Sequence, residues 1–197
     1  MEIVLASGNA GKLAELRGLL AGSGHVLRAQ SEFGIADADE TGLSFVENAL
    51  LKARHASAAT GLPALADDSG LCVDALGGAP GLYSARYGGV HGDDARNIAR
   101  LLGELRDVVD EERTARFHCA LALLRSADDP RPLVAEGSWE GRILHAPRGA
   151  AGFGYDPVFL DPEHGCSAAE LDPVVKNRIS HRGRALTVLK RRLPELL

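Results

Sequence analysis

The sequence lacks the features that define several large classes of protein. Its three cysteines, Cys72, Cys119 and Cys166, are far apart and form no C-x-x-C pair, which argues against a disulfide framework and a thiolate zinc site. No apolar run approaches the ~20 residues that cross a bilayer. The N-terminus has neither the basic segment nor the long apolar core of a signal peptide. We therefore expect a cytoplasmic protein with no membrane partner.

An excess of positive charge is also missing. The formal net charge is −5, which argues against a sequence-independent grip on duplex nucleic acid but leaves room for a local basic site for a small anion. A chain of 197 residues with 45% hydrophobic and 25% charged content is ordinary for a globular protein. We expect a single domain over residues 1–197, built as two lobes.

The hydrophobic pattern predicts strands that alternate with helices, followed by a hairpin. Short apolar runs predict β segments at 2–6, 25–30, 63–68 and 71–76, and helical spacing predicts helices at 11–22, 44–60, 93–105 and about 180–193. Ser44 and Glu47 fit a capping box, which gives Glu47 a structural role. The β-rich segments 113–125 and 132–144 predict an antiparallel pair. This order indicates an α/β fold with a mixed sheet, in two lobes around a cleft.

The stretch ALADDSGL, residues 64–71, ends an apolar run in two adjacent carboxylates, Asp67 and Asp68. One interpretation is a turn, because Asp, Ser and Gly are favoured where the backbone bends. The other is a metal site, where a hard divalent cation offsets the repulsion between carboxylates. Glu40, in a polar acidic loop, is either a solvated acid or a third member of that site. The residues alone leave both interpretations open.

The motif SGNAGK, residues 7–12, joins the first predicted strand to the first helix. Its glycines allow a ligand to approach the backbone, the helix N-terminus offers N–H groups to an anion, and Lys12 adds a positive charge. It is not a Walker P-loop, which would need Gly in place of Ala6 and Ser or Thr in place of Leu13. A phosphate site and a plain strand-to-helix turn both fit.

Two later motifs also fit either a binding site or a purely structural role. FGYD, residues 153–156, offers Phe153 as a stacking surface for a base, although an isolated Phe more commonly fills a core. KNRISHRGRA, residues 176–185, places cations before or at the start of the last predicted helix, where they oppose its dipole. A bound anion, a polar base edge and a solvated basic face all account for them.

Taken together, the chain resembles the inosine triphosphate pyrophosphatase family, hydrolases of non-canonical purine nucleoside triphosphates. The resemblance runs nearly end to end through SGNAGK, ETGLSFVENALLKA, ADDSGLCVDALGGAPGLYSARY, FGYDPVF and KNRISHR, with no departure at these positions. It implies an elongated mixed sheet with flanking helices and a homodimer. It also implies Mg²⁺-dependent cleavage of ITP, dITP or XTP between the α- and β-phosphates, which gives a nucleoside monophosphate and pyrophosphate.

The resemblance further implies roles for individual residues. Glu40 and Asp68 would hold Mg²⁺, and Asp68 would also accept the proton of the attacking water. The residues implied to bind substrate are Ser7, Gly8, Asn9, Ala10, Gly11, Lys12, Ser69, Phe153, Gly154, Tyr155, Asp156, Lys176, His181 and Arg182. The first six would bind the triphosphate, and those from Phe153 onward the nucleoside. Because an extended segment points successive side chains to opposite faces, Asp67 and Asp68 need not share a role.

Two other functions fit parts of the sequence. A Mg²⁺-dependent nucleotide phosphatase would release orthophosphate instead of pyrophosphate. A nucleotide-binding module without catalysis would keep the phosphate and base motifs but would not need Glu40 and Asp68 together. A glycosidase built on paired carboxylates would explain neither SGNAGK nor the basic C-terminal motif.

Overall fold

A computed structural model describes residues 2–8, 10–20, 22 and 24–193. The strands are β1 (Glu2–Ala6), β2 (Val26–Ala29), β3 (Ala64–Val73), β4 (Thr114–Leu124), β5 (Leu133–Ile143), β6 (Phe159–Asp161) and β7 (Cys166–Ser167). The α-helices are α1 (Ala10–Leu20), α2 (Phe45–Thr60), α3 (Asp94–Glu104), α4 (Pro173–Ile179) and α5 (His181–Arg192). The strands lie in one sheet in the order β2-β1-β3-β4-β5-β6-β7. The predicted α/β class with a mixed sheet and flanking helices is confirmed.

The chain divides into two compact units. Unit 1 comprises Met1–Asp68, Cys119–Gly137 and Arg182–Leu197, and unit 2 comprises Ser69–His118 and Ser138–His181. The division falls within β3, β4 and β5, and each unit contains hydrophobic clusters of its own residues. The predicted count of one domain and the predicted cleft stay predictions. Within the described ranges, no helix has the length and apolar character needed to cross a membrane.

In unit 1, β1 pairs in parallel with both β2 and β3. Parallel pairing follows from the helices between these strands, because parallel strands need a long connection. The register places Ala6 of β1 beside Ala66 of β3. The SGNAGK loop, which follows β1, and the two aspartates, which follow Ala66, therefore reach the same edge of the sheet, where parallel α/β sheets commonly bind ligands.

Successive residues of β3 in unit 1 face different helices. Leu65 packs in one cluster with Leu16 of α1 and Leu186 of α5. Ala66 packs in another cluster with Ala53 of α2, where small side chains allow the helix to lie close to the sheet. By the same alternation, Asp67 faces the side of α1 and α5, and Asp68 faces the side of α2.

The course of β3 corrects the turn interpretation of ALADDSGL. The strand continues without a break from Ala64 to Val73, so residues 63–68 and 71–76 are not two separate β segments. Its end is marked by a short 3₁₀ helix over Asp74–Leu76. Asp67 and Asp68 are both buried, which is a position that carboxylates occupy only when they are paired. Local turn preference therefore yields here to the pairing of these charges.

The structure confirms the predicted start of α2 and adds a helix near the C-terminus that the sequence did not predict. At the start of α2, Ser44 accepts a hydrogen bond from the Glu47 N–H, which confirms the predicted structural role of this pair. The last predicted helix, near 180–193, is α5, and a separate helix that was not predicted, α4, precedes it, with Ser180 extended between the two. Lys176 and Arg178 consequently lie in the last turn of α4, where cations suit the helix dipole. The argument that they oppose a helix dipole was wrong for these two residues.

In unit 2, the contacts between β4 and β5 run in opposite directions along the two strands. The contacting pairs are Arg116–Glu140 and His118–Ser138, together with Arg113–Ile143, in which Arg113 immediately precedes β4. As one residue number rises the other falls by the same amount, which confirms the predicted antiparallel pair. The β5–β6 and β6–β7 pairs are also antiparallel.

Candidate active site

Glu40 and Asp68 converge on one ammonium group in unit 1. The Nζ atom of Lys52 lies 2.8 Å from Glu40 Oε1 and 2.6 Å from Asp68 Oδ1. Lys52 comes from α2, on the side of the sheet that Asp68 faces, and Glu40 comes from the loop before that helix. The Glu40 loop is held against α2 by Gly42, whose N–H donates to Asn48 Oδ1 at 2.8 Å. The two carboxylates that the resemblance assigns to a metal are thus brought together by the fold.

The three charges alter one another. Burial alone would lower the pKa of Lys52, but Asp68 and Glu40 more than offset burial and hold the pKa above its usual value. Burial raises the pKa of Asp68, although the charge of Lys52 opposes this shift. Two carboxylates share one ammonium, so the group has one negative charge in excess when all three are ionised. Such a group attracts a further cation.

The chemistry of these donors suits Mg²⁺. Mg²⁺ is usually held by one or two carboxylates together with waters and substrate phosphates, and not by a cage made only of protein side chains. Glu40 and Asp68 supply two carboxylates that meet at one cation. Across the residues that the structure describes, no group of three or more His, Cys, Asp or Glu side chains could hold a metal ion. A pair of carboxylates leaves the remaining coordination positions of a Mg²⁺ ion for waters and substrate phosphates.

Asp67 belongs to a second ionic network in unit 1. Its Oδ1 atom lies 2.6 Å from Lys12 Nζ, and its Oδ2 atom accepts hydrogen bonds from Arg182 Nε at 2.9 Å and Cys119 Sγ at 3.1 Å. Arg182 also donates from Nη1 to Glu15 of α1. Asp67 and Asp68 therefore have different partners, in agreement with the prediction that they need not share a role.

The second network is more deeply buried than the first. Burial alone would raise the pKa of Asp67, but the charges of Arg182 and Lys12 outweigh burial and hold the pKa well below its usual value. Burial alone would lower the pKa of Arg182, but the charges of Asp67 and Glu15 more than offset burial and hold the pKa above its usual value. Asp67 and Arg182 therefore stay ionised. Arg182, which the resemblance assigns to the nucleoside, directs Nε and Nη1 at carboxylates in this structure.

The SGNAGK motif forms the connection from β1 to α1. Ser7 is buried, and α1 begins at Ala10, so Gly11 and Lys12 lie in its first turn. Gly8 lies against the loop that carries Glu40, because a Cβ atom at Gly8 would be 3.1 Å from Asp37 Oδ2. Asn9 lies outside the described residues.

In unit 2, Asp156 organises the FGYD motif. Its buried Oδ2 atom accepts a hydrogen bond from the Phe153 N–H at 2.9 Å and lies 2.7 Å from Lys176 Nζ. Gly152 has a φ of 80° and approaches this carboxylate so closely that a Cβ atom would collide with it. Lys176 Nζ also lies 5.3 Å from the centroid of the half-buried Phe153 ring. Phe153, Asp156 and Lys176, all predicted from the sequence, thus form one cluster.

The other predicted residues of unit 2 have varied surroundings. Tyr155 packs in the core of unit 2, and its hydroxyl donates to the Ser84 carbonyl at 2.8 Å. The Gly154 N–H donates to Asp94 Oδ2 at 2.7 Å. The ring of His181 stacks on Phe117 with centroids 4.8 Å apart. Ser69 is half-buried in β3. The predicted substrate contacts of these residues stay predictions.

Reasoning from the sequence missed Lys52 and Glu15. Lys52 lies three residues after Ala49 and four before Ala56, both buried, so helical spacing alone put it beside the inward stripe of α2. It also lies within ETGLSFVENALLKA, one of the segments that carry the resemblance. Glu15 follows Lys12 by one helical turn, but its partner Arg182 is 167 residues away, and spacing could not reveal that contact.

Comparison with known proteins decides the family. The model of the Ham1 family matches residues 3–192. The chain belongs to the Ham1 family. The resemblance stated from the five motifs is thereby confirmed.

Relatives of this Ham1-family protein match over nearly their whole length. A dITP/XTP pyrophosphatase of Xanthomonas campestris pv. campestris is 62% identical over 194 residues, which cover 98% of each chain. A dITP/XTP pyrophosphatase of Vibrio cholerae is 56% identical, over 98% of this chain and 97% of that protein. A HAM1 protein from Coxiella burnetii has a structure with a TM-score of 0.91 at 53% identity, covering 99% of both chains.

Proposed function

We propose that this Ham1-family protein hydrolyses the non-canonical purine nucleoside triphosphates ITP, dITP and XTP to a nucleoside monophosphate and pyrophosphate. The observation that carries the proposal is the convergence of Glu40 and Asp68 on Lys52, beside the edge of the sheet that also receives the SGNAGK loop. The names of the relatives from Xanthomonas and Vibrio support the choice of substrate.

Glu40 and Asp68 would hold a Mg²⁺ ion, which when bound neutralises phosphate charge. Lys52 keeps the two carboxylates together and stays protonated, because its pKa is raised. Phosphoryl transfer depends chiefly on positioning and on neutralising negative charge, so Lys12 and Lys52 would add to the charge offered to the triphosphate.

Asp68 would also accept the proton of the attacking water. The water oxygen forms a bond to the α-phosphorus while the bond from that phosphorus to the α–β bridging oxygen breaks, and pyrophosphate leaves. The proton lost by the water passes to the carboxylate of Asp68. A carboxylate within hydrogen-bond reach of the attacking water can accept its proton as the new bond forms.

The remaining residues would recognise the ends of the nucleotide. Residues 7–12 would bind phosphates through backbone N–H groups and Lys12. Phe153, held by Asp156 and Lys176, would stack on the base. Arg182, a donor-only group, would favour the 6-oxo group of hypoxanthine and xanthine over the 6-amino group of adenine. GTP shares the 6-oxo group, so another contact must reject it.

Substrate and product analysis tests the proposal. The purified protein would be assayed with ITP, dITP, XTP, ATP and GTP in the presence of Mg²⁺, with pyrophosphate and orthophosphate measured separately. We expect kcat/KM for the three non-canonical nucleotides to exceed that for ATP and GTP. Equal rates for all five nucleotides would contradict the proposed substrate class.

We also propose a homodimer and a cytoplasmic location. The homodimer follows the resemblance to the family, and the location follows the proposed substrate, because nucleoside triphosphates are made and used in that compartment. Sedimentation of the purified protein tests the dimer, and a mass equal to one 20.7 kDa chain would contradict it. Fractionation of cells tests the location.

A further inference from the structure

Asp67 is a fully buried carboxylate to which the proposed chemistry gives no task. Its side chain has no exposure to solvent, and its donors among the described residues include Lys12 at Oδ1 and both Arg182 and Cys119 at Oδ2. A buried charge is costly unless it is paired and hydrogen-bonded. The arrangement satisfies that condition and fixes the plane of the carboxylate from both ends.

Exposure separates the members of this network. The side chain of Arg182 is 2% exposed and that of Asp67 is 0% exposed, whereas Lys12 is 16% exposed. Of these three charged groups, Lys12 is therefore the most accessible to solvent, and hence to a triphosphate. Asp67 lies behind it as an internal support.

We infer that Asp67 is a positioning residue for phosphate binding, because it fixes the ammonium group of Lys12 at the start of α1. The inference rests on the proposed function, in which Lys12 binds the triphosphate. The lysine side chain is a flexible four-carbon stem that carries a point charge, so its tip has no fixed place without an acceptor. Asp67 supplies that acceptor at 2.6 Å, and Arg182 and Cys119 keep the acceptor from rotating.

The substitution Asp67→Asn separates shape from charge at this position. The amide has one oxygen and one NH₂ group. Two donors meet Oδ2, so the amide oxygen best serves that end, and the NH₂ group then faces the Lys12 ammonium. Donor meets donor, and Lys12 is displaced. A misplacement of about 1 Å in a reacting complex costs about 10²-fold in rate.

The test is a double-mutant cycle with Asp67→Asn, Lys12→Ala and the double variant. The readouts are kcat/KM for ITP and the inhibition constant of pyrophosphate, with binding of inosine, which has no phosphate, as the comparison. We expect Asp67→Asn to lower kcat/KM for ITP by about 10²-fold and to raise the inhibition constant of pyrophosphate by a similar factor. Inosine binding should fall by less than about threefold, because the amide oxygen still accepts from Arg182, the group proposed for the base, and in the Lys12→Ala background the added loss should also be under about threefold.

Cys119→Ala is the matched control. It removes a neutral donor from the same carboxylate but leaves the contact between Asp67 and Lys12 in place. We expect its inhibition constant for pyrophosphate to stay within about threefold of wild type, since a neutral hydrogen bond contributes only modestly.

Several outcomes would overturn the inference. If the loss of kcat/KM in the double variant equals the product of the losses in the two single variants, Asp67 does not act through Lys12. If Asp67→Asn weakens inosine binding as much as pyrophosphate binding, Asp67 supports the fold and not Lys12. Tighter pyrophosphate binding by Asp67→Asn would show that Asp67 competes with phosphate for Lys12. If Asp67→Asn does not fold, as judged by circular dichroism, Asp67→Glu keeps the charge but shifts the carboxylate by one methylene, and it should weaken the binding of pyrophosphate more than that of inosine. If wild type releases no pyrophosphate from ITP, the proposed function fails, while pyrophosphate affinity still decides whether Asp67 acts through Lys12.

Discussion

Asp68→Asn is the substitution that separates chemistry from structure most cleanly. The side chain of Asp68 is 9% exposed, and its Oδ1 atom lies 2.6 Å from Lys52 Nζ. Asn keeps the size and can still accept a hydrogen bond from Lys52, but it has no negative charge and cannot take a proton from water. Lys52 keeps Glu40 as an ionic partner at 2.8 Å, so the substitution does not leave a buried ammonium without a carboxylate.

The expected losses in stability and rate differ in size. A hydrogen bond to a charged group contributes about 1.5–3 kcal/mol. Because Asn can still accept from Lys52 and burial already disfavours the charge of Asp68, the loss should be smaller than this, and at about 2–4 °C per kcal/mol Tm should fall by less than about 12 °C. Removal of a general base costs about 10²–10⁴-fold in rate. Because Asp68 would also hold the metal, we expect kcat for ITP to fall by at least about 10³-fold.

The assay combines pyrophosphate release from ITP at saturating Mg²⁺ with thermal unfolding followed by circular dichroism. Asp129→Asn is the control, because Asp129 is a buried carboxylate of unit 1 whose partner is Arg125. It should lower Tm while leaving kcat unchanged. A kcat for Asp68→Asn within about tenfold of wild type, in a variant that is folded at the assay temperature, would refute the role of Asp68.

Four further substitutions test other parts of the account. Lys12→Ala should raise KM and lower kcat for ITP while leaving the ratio of ITP to ATP rates unchanged; a changed ratio with intact affinity would place Lys12 elsewhere. Glu40→Gln should raise the Mg²⁺ concentration needed for half-maximal rate, and an unchanged concentration would remove Glu40 from the metal site. Arg182→Ala should lower kcat/KM for ITP more than for ATP, whereas equal losses would give Arg182 a phosphate or structural role. Gly42→Ala should lower Tm and kcat together, because a Cβ atom there would lie 2.7 Å from Glu47 Cβ; full activity would show that the Glu40 loop adapts.

The sequence predicted the elements whose signals are local. The apolar run of β1, the stripe of α2 and its cap at Ser44 all depend on neighbouring residues, and the structure contains them. The opposite orientation of Asp67 and Asp68 was predictable for the same reason, since it needs only an extended backbone. The partners of these two residues were not predictable, because Arg182 is 115 residues from Asp67.

The failures of prediction share a physical cause. Asp-Ser-Gly favours a turn in isolation, but in β3 the charges of Asp67 and Asp68 are met by Lys12 from α1, Arg182 from α5 and Lys52 from α2. Burial is possible only because those helices bring their cations to the strand. Tertiary pairing overrides a local preference in this way, and a single sequence shows the preference but not the pairing.

The identity of the products formed from ITP tests the central claim most directly. The reaction with Mg²⁺ would be followed by ³¹P NMR, which distinguishes pyrophosphate from orthophosphate and a nucleoside monophosphate from a diphosphate. The account predicts that inosine monophosphate and pyrophosphate appear in equal amounts, and that Asp68→Asn forms neither at a measurable rate. Inosine diphosphate with orthophosphate would indicate a phosphatase, and no turnover with intact ITP binding would indicate a binding module; either result would contradict the account.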